Sequence, residues 1–474
     1  MINFIKKFNW IVAVLISVWC IITLLRVFHH SPWYDEAHAW LISQELSFTE
    51  IIRLMKTEGH TFLWYLCLMP FAKTNFMYPY SMLLLNWIFC FFAMLILWLK
   101  APFNNWIKFL ISFSFPFLAL YPVIARCYSI GIMFLFGLAA MEKSKLRHPN
   151  WYSLLLILCA NTSVMAAVGA TVFGLIFLYE MIKNKINVGI PLVTMIFGAV
   201  AVLMQLPLNL SKNVLVTMID RPLTIYFFSS TFLNNSLLVN LSIVVLVCIL
   251  VILFCIKNKK FPLFLILSYL LLFCVFYKYS GAMWHHFFFY VYFVIFMWLL
   301  YENYYNQELQ WKWLLSSVLA TVSIFFIFWS PKTEDIKRVW NCADLEVSKL
   351  IFEDENISNS NIFVFGLYQS IFPLYFRGHN INVINYCSGN ANQWDIRPYY
   401  YSPVCQFDGK DNSIVILKDE YISKFYTENS YLLTSDKIQS PDGSFSGGLK
   451  NYKFVLYKNY GQNVLWKVEK TNNK

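Results

Sequence analysis

Tyr80 to Leu99 reads YSMLLLNWIFCFFAMLILWL, an unbroken apolar run closed by Lys100. About twenty such residues in a helix cross the hydrocarbon of a bilayer. Runs near that length recur at Asn9 to Phe28, Val188 to Gln205, Leu237 to Ile256 and Phe261 to Tyr277. The whole chain has 474 residues, 58% of them hydrophobic and 13% charged, against roughly one quarter charged in ordinary soluble domains. No soluble core uses so many apolar segments, so the chain reads as a polytopic α-helical membrane protein. Lys6 and Lys7 precede the first run as they would in a signal peptide. That run is long and no small-residue cleavage site follows it, so it reads as a retained helix.

The formal charge of +11 would suggest a nucleic-acid partner in a soluble protein, but here the basic residues lie in short loops between apolar runs and report topology. They cluster at Lys6/Lys7, Lys100/Lys108, Lys143/Lys145/Arg147, Lys183/Lys185 and Lys257/Lys259/Lys260. The positive-inside rule places these clusters in the cytoplasm. Parity then requires that Leu63 to Ala72, too short to span, does not cross. It also requires that Trp151 to Ile182 is two short helices, up and back. The expectation is about eleven spans, with the N-terminus inside and everything after Ser330 outside. The 11 cysteines include no C-x-x-C pair, and most sit in apolar runs, where a thiol behaves as a small hydrophobe. Cys342, Cys387 and Cys405 fall in the polar tail, and a disulfide between the last two is one reading of an external tail.

Residues 29–80 form an outer loop longer than most connections, which marks it as a functional suspect. Ser47-Phe48-Thr49-Glu50 fits a capping box followed by apolar Ile51, Ile52 and Met55, with Gly59 as the stop. Ala37, Trp40 and Leu41 make a similar stripe. The pattern predicts two short amphipathic helices on the membrane surface. In the tail, Gly, Asn, Ser and Asp become frequent. Short β-rich runs appear there at Ile362 to Tyr368, Ile381 to Tyr386, Ser413 to Leu417 and Tyr452 to Tyr457, and Asp335 to Phe352 has helical periodicity. The domains expected are a membrane domain over 1–330 and a small extracytoplasmic α/β domain over 331–474, with no internal repeat.

Asp35-Glu36 lies just beyond the outer end of the first span, among aromatics suited to the interface. A partly shielded carboxylate there can serve as a general base; the alternative is that Asp35 caps the helix that follows. Glu36 would point elsewhere on that helix and carry the milder role. Glu58-Gly59-His60 closes the same loop. Arg126 with Tyr128 begins a later span at its outer end, where an arginine either faces an anion, phosphate above all, or snorkels to headgroups. His285 and His286, after Trp284, suit phosphate binding, metal ligation or interfacial anchoring. Asp35, Glu36, His38, Glu58 and His60 together are a conceivable divalent-cation set, although no spacing enforces one. H-E-x-x-H, the P-loop and G-x-G-x-x-G are all absent. An outward-facing enzyme lacking a nucleotide site needs an activated substrate delivered through the membrane, and a lipid-phosphate ester meets that need.

At these residues the chain resembles the GT-C superfamily of membrane glycosyltransferases, which includes protein O-mannosyltransferases, aminoarabinose transferases and oligosaccharyltransferases. Trp33-Tyr34-Asp35-Glu36-Ala37-His38-Ala39-Trp40 is similar to the first-loop acidic motif of that group. Glu58-Gly59-His60-Thr61-Phe62-Leu63-Trp64-Tyr65 is similar to its E-G-H-P-x-L-W-Y element, and Ile124-Ala125-Arg126-Cys127-Tyr128 to its I-A-R-x-Y element. Ala160-Asn161-Thr162-Ser163, Phe372 to Phe376 and Trp394-Asp395 also resemble bacterial members. Two departures are Thr61 in place of proline and Trp284 where arginine often precedes histidine; the second bears on phosphate binding near His285.

The resemblance implies an inverting transfer of one sugar from a polyprenyl-phosphate carrier to a glycan, lipid or protein acceptor at a bacterial inner membrane. Asp35 would be the base, with Glu36 beside it. Arg126 with His60 would stabilise the departing phosphate, and Glu58, Tyr128, His285 and His286 would line the substrate site. No cofactor is obligatory in this reading, a divalent cation stays open, and no nucleic acid is involved. Two rival readings are an envelope polysaccharide polymerase or ligase, and a non-enzymatic lipid or glycan transporter, which would more often show repeated halves.

Overall fold

A computed structural model describes residues 10–58, 60–205, 260–278, 283–304, 309–328, 343–364, 372, 374–376, 379–385, 389–390, 419–435, 451–460 and 463–471. The chain divides into two compact units. The first comprises Met1–Phe28, Phe48–Cys67 and Tyr80–Pro331; the second comprises His29–Ser47, Leu68–Pro79 and Lys332–Lys474. The loop 29–80, expected within the membrane domain, is divided: two of its segments cluster with the tail.

The first unit is helical. In chain order it holds α1 (Trp10–Phe28), α3 (Phe48–Glu58), α5 (Tyr80–Lys100), α6 (Asn105–Ser112), α7 (Tyr128–Met141), α8 (Pro149–Ala160), α9 (Val164–Lys183) and α10 (Gly189–Gln205). It continues with α11 (Lys260–Lys278), α12 (Met283–His286), α13 (Phe288–Tyr304) and α14 (Leu309–Phe328). Among the described residues, four stretches are long and apolar enough to cross a membrane: Trp10–Phe28, Tyr80–Lys100, Val164–Lys183 and Trp284–Glu302. The expected run Leu237 to Ile256 lies outside the described residues. Asn161 to Ser163 breaks Trp151 to Ile182 into α8 and α9 as the parity argument required. The break has a local cause: the Ser163 side chain accepts from the Ala166 amide and caps the new helix.

Lipid is the solvent that explains the outer face. Ile11, Val14, Val18, Ile21, Leu25 and Phe28 recur at helical spacing along α1 and are all exposed, while Trp19, Thr23 and Val27 on the other side are buried. That is the pattern of a soluble amphipathic helix turned inside out. Ile190, Val193, Phe197, Val200 and Met204 repeat it on α10. With apolar surroundings there is little hydrophobic drive between helices, so close packing through small residues has to hold them. A Cβ at Gly131 would come within 2.8 Å of the Thr162 hydroxyl oxygen and 2.9 Å of the Ala166 Cβ. At Gly169 the Tyr292 ring approaches so closely that its hydroxyl accepts from the Gly169 amide at 2.7 Å and donates to the Met165 carbonyl. This places a side chain inside the helical ladder of α9.

Basic loops gather at one end of this unit. Lys145 binds Glu142 at 2.5 Å and Glu180 at 3.0 Å, and Lys143 lies 3.9 Å from Glu302. Phe103 packs on Trp298 and Tyr301, and the Lys108 ammonium donates to the Trp98 carbonyl at the end of α5. The turns Lys100–Asn105 and Met141–Pro149, the end of α9 and the end of α13 therefore share one end.

The second unit combines α2 (Tyr34–Glu45) with a mixed sheet and two helices, α15 (Ala343–Phe352) and α16 (Asp419–Phe425). Its strands are β1 (Asn361–Val364), β2 (Asn382–Asn385), β3 (Gly389–Asn390), β4 (Ser430–Ser435), β5 (Tyr452–Asn459) and β6 (Asn463–Lys470), ordered β3-β2-β1-β4-β6-β5. β1 runs parallel to β2 and β4, and the other pairs are antiparallel. Alternation along β1 puts Ile362 and Val364 on the face covered by Val347 and Ile351 of α15, and Phe363 on the face covered by Ile422 of α16. Three of the expected β-rich runs are strands here; Ser413 to Leu417, Cys342, Cys387, Cys405 and Trp394-Asp395 lie outside the described residues. The helix expected over Asp335 to Phe352 is described from Ala343.

The two outer-loop helices are present but differ in kind. α3 is amphipathic, with Ile51, Leu54 and Met55 buried and Phe48 and Arg53 exposed. Ala37, Ala39, Trp40, Leu41, Ile42 and Ser43 of α2 are all solvent-free. Such a helix is enclosed in protein, which corrects the expectation that it lies on the membrane surface. The run Leu63 to Ala72 forms a short helix, α4 (Leu63–Lys73), below the length of a span; its residues through Cys67 belong to the first unit and those from Leu68 to the second.

Candidate functional site

At the end of the first unit away from the basic loops, the backbone leaves helical geometry. A π-helical turn, Pro116–Leu120, runs into the irregular segment Tyr121 to Cys127, which is wholly buried. Irregular backbone at membrane depth survives only where its polar groups find partners. Here side chains supply them. The Asn86 amide donates to the Tyr121 and Pro122 carbonyls at 2.9 and 3.1 Å, and the Ser129 hydroxyl donates to the Tyr121 carbonyl at 2.7 Å. The Tyr121 hydroxyl in turn donates to the Trp284 carbonyl at 3.0 Å, tying the segment to α12. Arg126 sits near the end of this stretch, 4% exposed, two residues before α7 begins at Tyr128.

The end of the outer loop meets the same region. His60 forms an isolated antiparallel bridge with Ser163, and the Leu63 amide donates to the Asn161 carbonyl at 3.1 Å. The Asn161-Thr162-Ser163 turn thus anchors the segment that carries His60. Around His60 the distances are short. Its Nδ1 lies 3.6 Å from Cys127 Sγ, its ring is nearly parallel to that of His285 at 6.2 Å, and Tyr128 meets both rings edge-on. Tyr128 Oη and His285 Nε2 are 2.8 Å apart, and the Tyr65 hydroxyl donates to Glu58 Oε2 at 3.2 Å. His286 packs against the Phe276 ring.

Electrostatics fix the state of His60, which lies between helices and outside the candidate spans. Burial, followed by the positive charge of Arg126, holds its pKa down to about 3 against a weaker upward pull from Glu58. His60 is therefore a neutral imidazole at physiological pH. It offers one N–H donor and one acceptor nitrogen, and the fixed positive charge here belongs to Arg126, whose guanidinium stays protonated in proteins.

Searches with the chain against family models, curated proteins and solved structures return no match.

Asp35, Glu36 and His38 belong to the second unit. α2 starts at Tyr34, so Asp35 lies within its first turn and is half-buried, and Trp33 holds the capping position. The carboxylate that secures this helix start is that of Glu36: its Oε2 accepts from the Trp33 amide at 3.0 Å and lies 2.8 Å from His30 Nε2. Both partners of the His30–Glu36 pair are solvent-free. Among the described residues no group of three or more His, Cys, Asp or Glu is placed to hold a metal ion. The structure thus brings Glu58, His60, Arg126, Tyr128 and His285 together and adds Tyr65 and Cys127, both of which stand inside the motifs without attracting notice. His30 was missed because it sits in a loop with no periodicity to mark it.

Proposed function

We propose that the protein is an inverting membrane glycosyltransferase that moves a sugar from a polyprenyl-phosphate carrier to an acceptor hydroxyl. The supporting observation is the grouping of buried Arg126, Tyr128 and His285 with half-buried His60 at the end of the first unit opposite the basic loops. The permanent cation of Arg126 beside hydrogen-bonding side chains suits a phosphate monoester leaving group. In the reaction the acceptor oxygen attacks the anomeric carbon, the bond from that carbon to the phosphate oxygen breaks, and Asp35 takes the acceptor's proton. Arg126 holds the phosphate as negative charge grows on it, which is electrostatic stabilisation of the departing group. His60 contributes to that task as a neutral donor.

This reading places the site on the outer face of a bacterial plasma membrane, with a GT-C-like domain of about eleven spans, the N-terminus in the cytoplasm and the second unit outside. It needs no obligatory cofactor and leaves a divalent cation open. The test is incubation of the purified protein in lipid vesicles with a panel of radiolabelled polyprenyl-phosphate sugars. Release of free polyprenyl phosphate from one of them is the expected result. Turnover confined to lipid diphosphates would move the protein to the polymerase or ligase class, and none with any donor overturns the reading.

A further inference from the structure

The chain around Asp35 is held on both sides by contacts of its neighbours. On one side, Glu36 Oε2 engages the Trp33 amide and His30 Nε2 in a pocket from which water is excluded. The second ring nitrogen of His30, Nδ1, is buried with no hydrogen-bond partner among the described residues. The geometry suits the imidazole tautomer with its proton on Nε2, which donates to the Glu36 carboxylate. On the other side, the Tyr375 hydroxyl donates to the Pro32 carbonyl at 2.9 Å. That bond joins two segments of the second unit that are far apart in sequence. Asp35 follows three residues after Pro32 and directly precedes Glu36, and the buried residues of α2 fix the helix on which it rides.

We propose that His30, through Glu36, and Tyr375, through the Pro32 carbonyl, are positioning residues for Asp35, so that the C-terminal α/β domain orients the base. This deepens the transferase reading and rests on it. A base misplaced by about an ångström loses on the order of a hundredfold in rate, so a clamp on the backbone beside it acts on turnover more than on donor affinity. It also assigns work to the tail domain: α15, the sheet and the Phe372–Phe376 segment form one core with the ring of Tyr375 packed against it, and that core carries the hydroxyl that meets the loop.

Hydrogen exchange and kinetics on the full-length protein in nanodiscs test this together. His30→Leu removes the ring that meets the buried Glu36 carboxylate, and amide exchange across residues 30–40 should rise about a hundredfold or more. Tyr375→Phe removes one hydrogen bond and should raise it about fivefold. His30→Gln, which can still donate to Glu36, should restore most of the protection. In the same variants kcat should fall in parallel with the exchange while the KM for the donor stays near wild type. Tyr375→Phe keeps the test decisive if His30→Leu does not fold. Unchanged exchange in Tyr375→Phe, or raised exchange with an unchanged kcat, overturns the proposal while wild-type turnover upholds the transferase reading. A wild-type protein inactive on every donor overturns that reading, and the proposal with it.

Discussion

Replacing Asp35 by Asn separates chemistry from architecture because the structure divides the two tasks between neighbouring carboxylates. Asp35 is half-buried in the first turn of α2. The helix-dipole part of removing its charge there is about 0.3–1 kcal/mol. A general base replaced by an amide loses about a hundredfold to ten-thousandfold in rate, or about 3–5 kcal/mol of transition-state stabilisation. Glu36→Gln has the opposite profile. The Glu36 oxygen accepts two buried bonds, and hydrogen bonds to a charged group contribute about 1–1.5 kcal/mol more than neutral ones. Its replacement should therefore cost about 2–3 kcal/mol of stability by that arithmetic, with activity falling only as far as the helix start shifts. The assay is release of radiolabelled polyprenyl phosphate at saturating donor, run beside thermal unfolding in detergent. Asp35→Asn should unfold within a few degrees of wild type and turn over at one per cent or less, a conservative reading of the base estimate. An Asp35→Asn protein that retains more than about a tenth of wild-type turnover refutes the assignment of Asp35 as the base.

Arg126→Lys keeps the charge but loses the planar fork, so donor binding measured by competition with polyprenyl phosphate should weaken about tenfold or more. Unchanged affinity returns Arg126 to an anchoring role. The depressed pKa of His60 has a fixed sign: the unfolded chain takes up a proton below pH 6.5 and the folded one only near 3. Stability should therefore fall as pH drops through that window, level off above it, and lose part of this slope in His60→Gln. At the other end of the unit, Lys145→Met leaves Glu142 and Glu180 without their shared cation and should cost about 3–5 kcal/mol, read as a lowered unfolding midpoint that Glu142→Gln partly restores. Reporter fusions after Lys100, Arg147 and Lys260 should read cytoplasmic and one after Ser330 external; an external Arg147 reverses the orientation and puts Asp35 on the nucleotide-sugar side.

Much of the helical architecture was legible because the signals are local. The helix start at Phe48 and the short run Leu63 to Ala72 follow from residues within one turn of the event, whereas the division of Trp151 to Ile182 into two helices came from the parity of the basic loops. The motif residues of the first unit were legible as a set, and Glu58, His60, Arg126, Tyr128 and His285 do lie together. What sequence could not give were contacts between distant residues. Nothing near Glu36 announces that it, and not Asp35, holds the helix start, because its partner His30 comes from the preceding coil. The enclosure of α2 was invisible for the same reason: its alternation of Ala and Trp looks like a surface stripe until other chain covers the second side. β4 and β6 were passed over because their apolar residues are mixed with Ser, Thr, Lys and Glu, and the sheet order pairs β4 with β1 across a long separation.

Asn86 bears on how the chain is made. Its amide holds the Tyr121 and Pro122 carbonyls, and it resides on a helix synthesised earlier, so the partner is already in the bilayer when the irregular segment leaves the ribosome. Ser129, the other donor to Tyr121, arrives a few residues later on α7. Until both are in place the Tyr121 and Pro122 carbonyls lack donors that hydrocarbon cannot replace. The segment bearing Arg126 should therefore wait at the translocon and enter the lipid as a package with α5 and α7, so that a mutation at Asn86 shows first as a defect of biogenesis, before any catalytic step is reached.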